Sequence, residues 1–232
     1  MIPAATMAIP KTVTFVSFDV YGTLIDWESG AYDAFAKEAA RDGVGLDRDD
    51  TVERFLAVQR EIMAGSYELY AEVLRRTAVR IAKDVGWDLE PSRSGFLPDS
   101  VQRWRPFKET NPTLNKLKKK FELGLISNID DKLLGQTRRH IPIDFDLVVT
   151  AQQVRSYKPD AAHFTECERR MGSKKGWVHV AESYYYDVEP CLKKKIPVIW
   201  VNRRKETLES GQKKPDAEVP SLREACKLLL GG

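Results

Sequence analysis

A chain of 232 residues, 42% apolar and 31% charged, can form one large domain, or one domain with a smaller insertion. Its 37 basic and 34 acidic side chains leave a net charge of +3, too even for a surface built to hold nucleic acid or a membrane. No apolar run reaches the roughly 20 residues of a membrane span. Cys167, Cys191 and Cys226 are too few and too widely spaced for a metal site or a disulfide framework, so a reducing, cytoplasmic setting is expected.

In chain order, residues 1–11, MIPAATMAIPK, lack a basic region ahead of their apolar positions and read as a loose leader. Residues 13–18 form a short apolar, β-branched run bounded by turn residues, which predicts a strand buried on both faces. The stretch 29–105 holds no strand pattern. Helices are predicted over 31–42, 51–64 and 68–85, with Phe55, Val58 and Ile62, then Leu69, Val73 and Leu74, at helical spacing. A crossover between parallel strands needs only about a dozen residues, so this stretch is expected to be a helical cap inserted into a core made of 12–28 and 106–232. Strands are then predicted at 121–127, 145–150, 177–181 and 197–202. They alternate with helical segments at 114–120, 132–139, 161–170 and 189–195. That alternation predicts an α/β class, with a doubly wound parallel sheet as core. Residues 203–218, RRKETLESGQKKPDAE, read as a polar, mobile surface loop.

Open parallel sheets bind ligands beyond the carboxyl ends of their strands. The first strand ends at Asp19, and the second at Ser127-Asn128. The third leads to Lys158 in 154-VRSYKPD-160, and the fourth to Glu182 and Asp187 in 182-ESYYYD-187. Singly, each is an ordinary turn or surface residue. In order, each at a strand end, they place carboxylates, a hydroxyl, an amide and an ammonium on one rim.

With those residues in hand, the chain resembles the haloacid dehalogenase superfamily. The stretches FDVYGTL at 18–24, ISN at 126–128, YKPD at 157–160 and HVAESYYYD at 179–187 carry the resemblance, which spans nearly the whole chain. It implies a Rossmann-like core with a helical cap and Asp19 as nucleophile. It implies that Thr23, Ser127 and Asn128 hold oxygens of the substrate or of an Asp19 ester, and that Lys158 neutralises charge beside Asp19. A homodimer through the cap or the sheet edge is in keeping with the family. The chemistry is consistent with these roles. A desolvated carboxylate held in line can displace a leaving group, and opening the resulting ester develops an oxyanion that needs donors nearby. Lys158 is expected to lower the Asp19 pKa, its charge outweighing desolvation.

Tyr21 discriminates between branches of the family. Phosphatases of the superfamily carry a second aspartate two residues after the nucleophile, to protonate the departing alkoxide. A phenol with a pKa near 10 is a poor substitute, whereas a halide leaves without a proton. The pattern DVYGT therefore looks like the 2-haloacid dehalogenase branch, acting on a small-molecule substrate with no cofactor. Asp187 is then expected to pair with Lys158 or to position the hydrolytic water. Tyr21, Asn128, Ser183 and Tyr184 are candidate substrate contacts. Arg60 or Arg54 is expected to reach in from the cap, Arg60 being favoured. Trp27, Tyr67, Tyr70 and Tyr184 to Tyr186 are candidates for an apolar wall. The alternative is a Mg²⁺-dependent phosphatase, with Asp19, Glu182 and Asp187 as metal ligands.

Overall fold

The computed structural model describes residues 9–231. Residues 1–8 of the expected leader lie outside the described residues. Among the described residues, six strands pair in parallel: β1 Phe15–Phe18, β2 Glu122–Ser127, β3 Leu147–Thr150, β4 Trp177–Ala181, β5 Val198–Val201 and β6 Ala217–Val219. Their spatial order is β3-β2-β1-β4-β5-β6, so the winding reverses at β1 and leaves a crevice beyond its carboxyl end. The register places Phe18 opposite both Leu125 and Val180, which brings the three central strands to an end at nearly the same level. Every residue of β1, β4 and β5 is buried, as expected of strands covered on both faces.

The same residues form ten α-helices: α1 Trp27–Ala40, α2 Arg48–Met63, α3 Tyr70–Asp84, α4 Phe96–Ser100, α5 Thr110–Leu117, α6 Asp131–Thr137, α7 Ala151–Val154, α8 Ala162–Met171, α9 Glu189–Lys194 and α10 Leu222–Leu230. The stretch from α1 to α4 contains no strand, in keeping with the sequence pattern. The chain leaves and re-enters the α/β core side by side, where Ile25 bridges Pro106. The helix α1 begins at Trp27, four residues before the expected start, because Asp26 caps it, accepting from the Ser29 N–H at 3.1 Å. Helix α10, capped by Ser221, and strand β6 were not among the expected elements. The strand is only three residues long and comes after a polar stretch, so it carries too little alternation to register. It turns the end of the expected 203–218 loop into a sheet edge, with the Asn202 N–H donating to Val219 O at 2.9 Å.

The helical layer is bolted to the core at the start of α3. That helix has no capping side chain of its own. Instead Asp130, at the start of α6, accepts from the Tyr70 and Ala71 N–H groups, each at 2.8 Å. Tyr157 adds a bond from its hydroxyl to the Glu68 carbonyl at 2.8 Å. A carboxylate on a helix N-terminus satisfies free N–H groups and matches the helix dipole. Replacing Asp130 with Ala is expected to remove about 1–2 kcal/mol of stability. Thermal denaturation should register this as a fall in Tm of about 2–8 °C, and an unchanged Tm would show that the layer is held elsewhere.

Candidate active site

Beyond the ends of β1, β2 and β4, one ammonium gathers the predicted residues. Lys158 is 1% exposed, and each of its three N–H donors is used. Nζ donates to Asp19 Oδ1 at 2.9 Å, to Asp187 Oδ1 at 2.7 Å and to the Ile126 carbonyl at 3.1 Å. Its position is set by Asn128, whose side chain accepts from the Lys158 N–H at 2.7 Å and donates to the Lys158 carbonyl at 3.1 Å. Asn128 lines the cavity, but its amide is engaged in clamping the lysine.

Asp19 comes directly after β1, and its N–H donates to Val180 O at 3.1 Å. Its second oxygen, Oδ2, accepts from Thr23 Oγ1 at 2.9 Å, and that hydroxyl in turn accepts from the Glu182 N–H at 2.9 Å. Thr23 thus ties the loop after β1 to the end of β4. The turn between them needs glycine: Gly22 has φ +97°, and a Cβ there would lie 2.9 Å from Glu182 Oε2. Arg203 holds the same turn from outside, donating to the Gly22 and Thr23 carbonyls at 3.1 and 3.0 Å.

The electrostatics differ from the expectation in one respect. Burial pushes the Asp19 carboxyl above its ordinary range, and the neighbouring Asp187 charge adds to this, so that Lys158 does not bring it below. Burial also penalises the Asp187 carboxylate, but Lys158 and His179 outweigh it and hold that group below its ordinary value. The expectation for Asp19 fails because burial outweighs the ammonium, and the second carboxylate on the same lysine adds to that. Burial disfavours the Lys158 charge, but Asp187 and Asp19 more than compensate and raise its pKa.

Above this cluster lies a cavity of about 170 Å³, reached by Asp19, Ser127, Lys158 and Asp187 from the core and by α1 and α2 from the helical layer. Ser127 Oγ and Asp187 Oδ2 are buried with no hydrogen-bond partner among the described residues, and both residues line the cavity. Trp27, Tyr70 and Tyr184 to Tyr186 line it as expected. Phe55 and Trp104 join them, while Tyr67 lies outside the lining and packs on Tyr157 at 5.4 Å. Tyr21 stands edge-on to Trp104 at 5.7 Å, with its hydroxyl 2.8 Å from Thr137 Oγ1. Burial drives its pKa well above the ordinary value.

Of the two candidate arginines, Arg60 lines the cavity, 4.4 Å over the Tyr185 ring. Arg54 is bound to Asp50 at 2.7 Å, on a partly exposed part of α2. Ser183 caps the π-helical turn Tyr184–Val188 by accepting from the Tyr186 N–H at 3.1 Å. The Tyr184 hydroxyl turns away to the Lys213 carbonyl at 2.7 Å, so only its ring faces the cavity. Sequence reasoning missed Arg204 and Glu206, which line the cavity from the stretch read as a mobile loop. Arg204 bonds Glu28 and lies 3.6 Å from Glu182. Burial pushes the Glu182 carboxyl up to about 7 despite that arginine. Among the described residues, no three His, Cys, Asp or Glu side chains are grouped to hold a metal ion. Asp19 and Asp187 converge on the ammonium and Glu182 lies near Arg204, so these three are not grouped as the Mg²⁺ ligands of the phosphatase alternative.

A family model described as haloacid dehalogenase-like hydrolase matches residues 13–223. The chain belongs to that family. It is 26% identical over 220 residues to the (S)-2-haloacid dehalogenase of Pseudomonas sp. (strain YL), covering 92% of this chain and 93% of the relative. It is 21% identical over 215 residues to haloacetate dehalogenase H-2 of Moraxella sp. (strain B), covering 91% and 96%. In fold it resembles the L-2-haloacid dehalogenase of Xanthobacter autotrophicus, solved with chloropropionic acid covalently bound. The TM-score is 0.79 at 18% identity, over 94% of this chain and 99% of that one. Among the described residues, no helix is long and apolar enough to cross a membrane.

Removing one member of a buried ion pair strands the charge of the other. Lys158→Ala leaves two carboxylates in one desolvated site, so it is expected to cost about 3–5 kcal/mol at neutral pH. Both carboxyls then titrate above their unfolded values, and the folded state binds the extra protons. The lost stability should therefore return as the pH is lowered. Urea denaturation at a series of pH values measures this; a loss independent of pH would contradict the charge argument.

Proposed function

We propose that this family member is a 2-haloacid dehalogenase with Asp19 as its nucleophile and the helical layer as its cap. The observation that carries the reading is Tyr21. At the position where phosphatase chemistry wants an acid, the side chain is a phenol whose hydroxyl is engaged by Thr137 and whose pKa burial raises further. Such a group gives no proton to a departing alkoxide. A halide needs none.

In the first step the Asp19 carboxylate attacks the carbon next to the substrate carboxylate. The carbon–halogen bond breaks, the configuration inverts, and the halide leaves toward Arg60 and the aromatic wall. The unpartnered Ser127 hydroxyl donates to the substrate carboxylate. In the second step water adds to the Asp19 carboxyl carbon, Asp187 Oδ2 takes its proton, and the oxyanion is met by Lys158. The adduct collapses by breaking the carboxyl–alkoxide bond. Asp187 returns its proton to the alkoxide, and a 2-hydroxy acid leaves. Asp19 then loses a proton to solvent, which balances the halide released. Thr23 and Lys158 hold the two Asp19 oxygens throughout, so the nucleophile is oriented before substrate arrives. This chemistry uses no metal.

The decisive assay is halide release from haloacetate and from each enantiomer of 2-chloropropionate. Turnover in ¹⁸O-water is expected to place label in Asp19, read by peptide mass. Asp19→Asn is expected to lower the rate by on the order of 10⁴-fold or more, and EDTA should leave it unchanged. Phosphate release from phosphoglycolate or a sugar phosphate, with no halide from any haloacid, would overturn the reading.

Two pH effects are expected. The nucleophile must be ionised, so kcat/KM should fall on the acid side at a pH above the ordinary Asp value of 3.8. Glu182, with a carboxyl pushed up to about 7, is neutral below that pH and anionic above it. KM for an anionic haloacid should therefore rise as the pH passes about 7, and Glu182→Gln should flatten that rise. A KM independent of pH in the wild type would show that Glu182 does not face the substrate.

A further inference from the structure

We infer that His179 is a positioning residue for the second half of the reaction: it fixes Asp187 so that a single carboxylate oxygen is presented to the hydrolytic water. The inference rests on the dehalogenase reading above and concerns only the opening of the ester.

His179 lies in the middle of β4, fully buried, in a strand whose other residues are Trp177, Val178, Val180 and Ala181. Opposite it in the sheet register is Ser17, the one polar residue of β1. Two polar side chains at the centre of a sheet buried on both faces are costly unless fully bonded. Here they are. Trp177 Nε1 donates to Ser17 Oγ at 2.7 Å, Ser17 Oγ lies 2.7 Å from His179 Nδ1, and His179 Nε2 lies 3.0 Å from Asp187 Oδ1.

The direction of this chain of bonds is fixed by its first member. An indole N–H only donates, so Ser17 Oγ accepts there. The Ser17 proton then has one acceptor among the described residues, His179 Nδ1. A ring that accepts at Nδ1 carries its proton at Nε2 and donates it to Asp187. The opposite tautomer would turn a lone pair toward the carboxylate and leave the Ser17 proton unbonded.

The consequence falls on Asp187. Its Oδ1 receives two donors, Lys158 at 2.7 Å and His179 at 3.0 Å, while Oδ2 has none among the described residues. A carboxylate held by one ammonium can still rotate about its side-chain bonds. With two donors arriving at one oxygen from different directions, its plane is fixed and the other oxygen is left for water. Ester formation does not use Oδ2, whereas ester hydrolysis uses it twice, first to take the water proton and then to return it to the alkoxide. Loss of His179 should therefore separate the two steps.

Single-turnover mixing with the haloacid that the wild type consumes resolves them. Chloride release reads ester formation, and the mass of the intact chain reads the ester. In His179→Leu, chloride release is expected to stay within about threefold of wild type while ester hydrolysis slows by on the order of 10- to 100-fold, so that ester-bearing protein accumulates. His179→Gln, which keeps an N–H donor near Nε2, is expected to recover most of the hydrolysis rate. Equal slowing of both steps, unimpaired hydrolysis in the Leu variant, or a Gln variant no better than Leu would each overturn the assignment. The His179 tautomer, read by ¹H–¹⁵N NMR on the wild-type protein, tests it without any variant or turnover: a proton on Nε2 alone supports it, and a proton on Nδ1 overturns it. If the wild type releases no halide, the dehalogenase reading falls first. If halide is released but no ester accumulates in the Leu variant, only the His179 assignment falls.

Discussion

The architecture of the site depends on one buried ammonium serving two carboxylates. Lys158 meets Asp19 from β1, Asp187 from the turn after β4 and a carbonyl of β2, so a single side chain closes the rim that three strands open. With both carboxylates ionised, the three charged groups sum to one negative charge in a place with almost no solvent. That imbalance is what burial and Asp187 express at Asp19, the group pushed up, while Asp187 keeps its charge with a second donor behind it. In the proposed mechanism the excess negative charge on Asp19 is discharged when that residue forms an ester. The cluster is then balanced, one ammonium to one carboxylate, and the remaining carboxylate is the one placed to act on water. Desolvation thus favours the first step of that mechanism, and the surviving ion pair would keep the site assembled for the second.

Secondary structure supplies the precision. The register across β2, β1 and β4 aligns the strand ends, and short side chains then cross-link the loops that leave them. Thr23 joins the loop after β1 to β4, and Asn128 joins the end of β2 to the lysine's own backbone. Groups held by residues on rigid strands keep their geometry better than groups on free loops, which is the requirement for in-line attack. The helical layer contributes mostly apolar and aromatic surface to the cavity, which keeps the Asp19 carboxylate desolvated.

Much of this was legible in the sequence, because a parallel sheet sends every strand to the same rim. Once the alternation of strands and helices was read, Asp19, Ser127, Lys158 and Asp187 had to approach one another. What escaped notice was of three kinds. Side-chain direction was not encoded in position: Ser183 is spent on its own turn, Asn128 on the Lys158 backbone, and the Tyr184 hydroxyl points to Lys213. Arg54 and Arg60 lie on different faces of α2, and the sequence did not say which face meets the core: Arg60 lines the cavity, while Asp50 holds Arg54. Polarity misled at 203–218, where Arg203 staples the Gly22-Thr23 turn and Arg204 lines the cavity. A signal did exist for the network beneath the site, since Ser17 and His179 interrupt otherwise apolar strands at matching positions. A buried polar residue in a central strand demands a partner, and each of these is the other's.

Charge balance also bears on why a tyrosine stands two residues after Asp19. A carboxylate at that position would make three acids around one ammonium whose donors are already all used. A desolvated site bears such an excess only if a further cation enters or a proton is retained. Glu182, an additional acid at the rim, takes the second course: its carboxyl is pushed up to about 7, and Arg204 stands beside it. At position 21 the problem is avoided outright by a neutral phenol tied to Thr137. The absence of an acid there and the full use of Lys158 are therefore two expressions of one constraint. With a neutral phenol at position 21 that is tied to Thr137, no acid stands there to protonate an alkoxide leaving in the first step, which is why the proposed reading assigns a leaving group that departs as a stable anion.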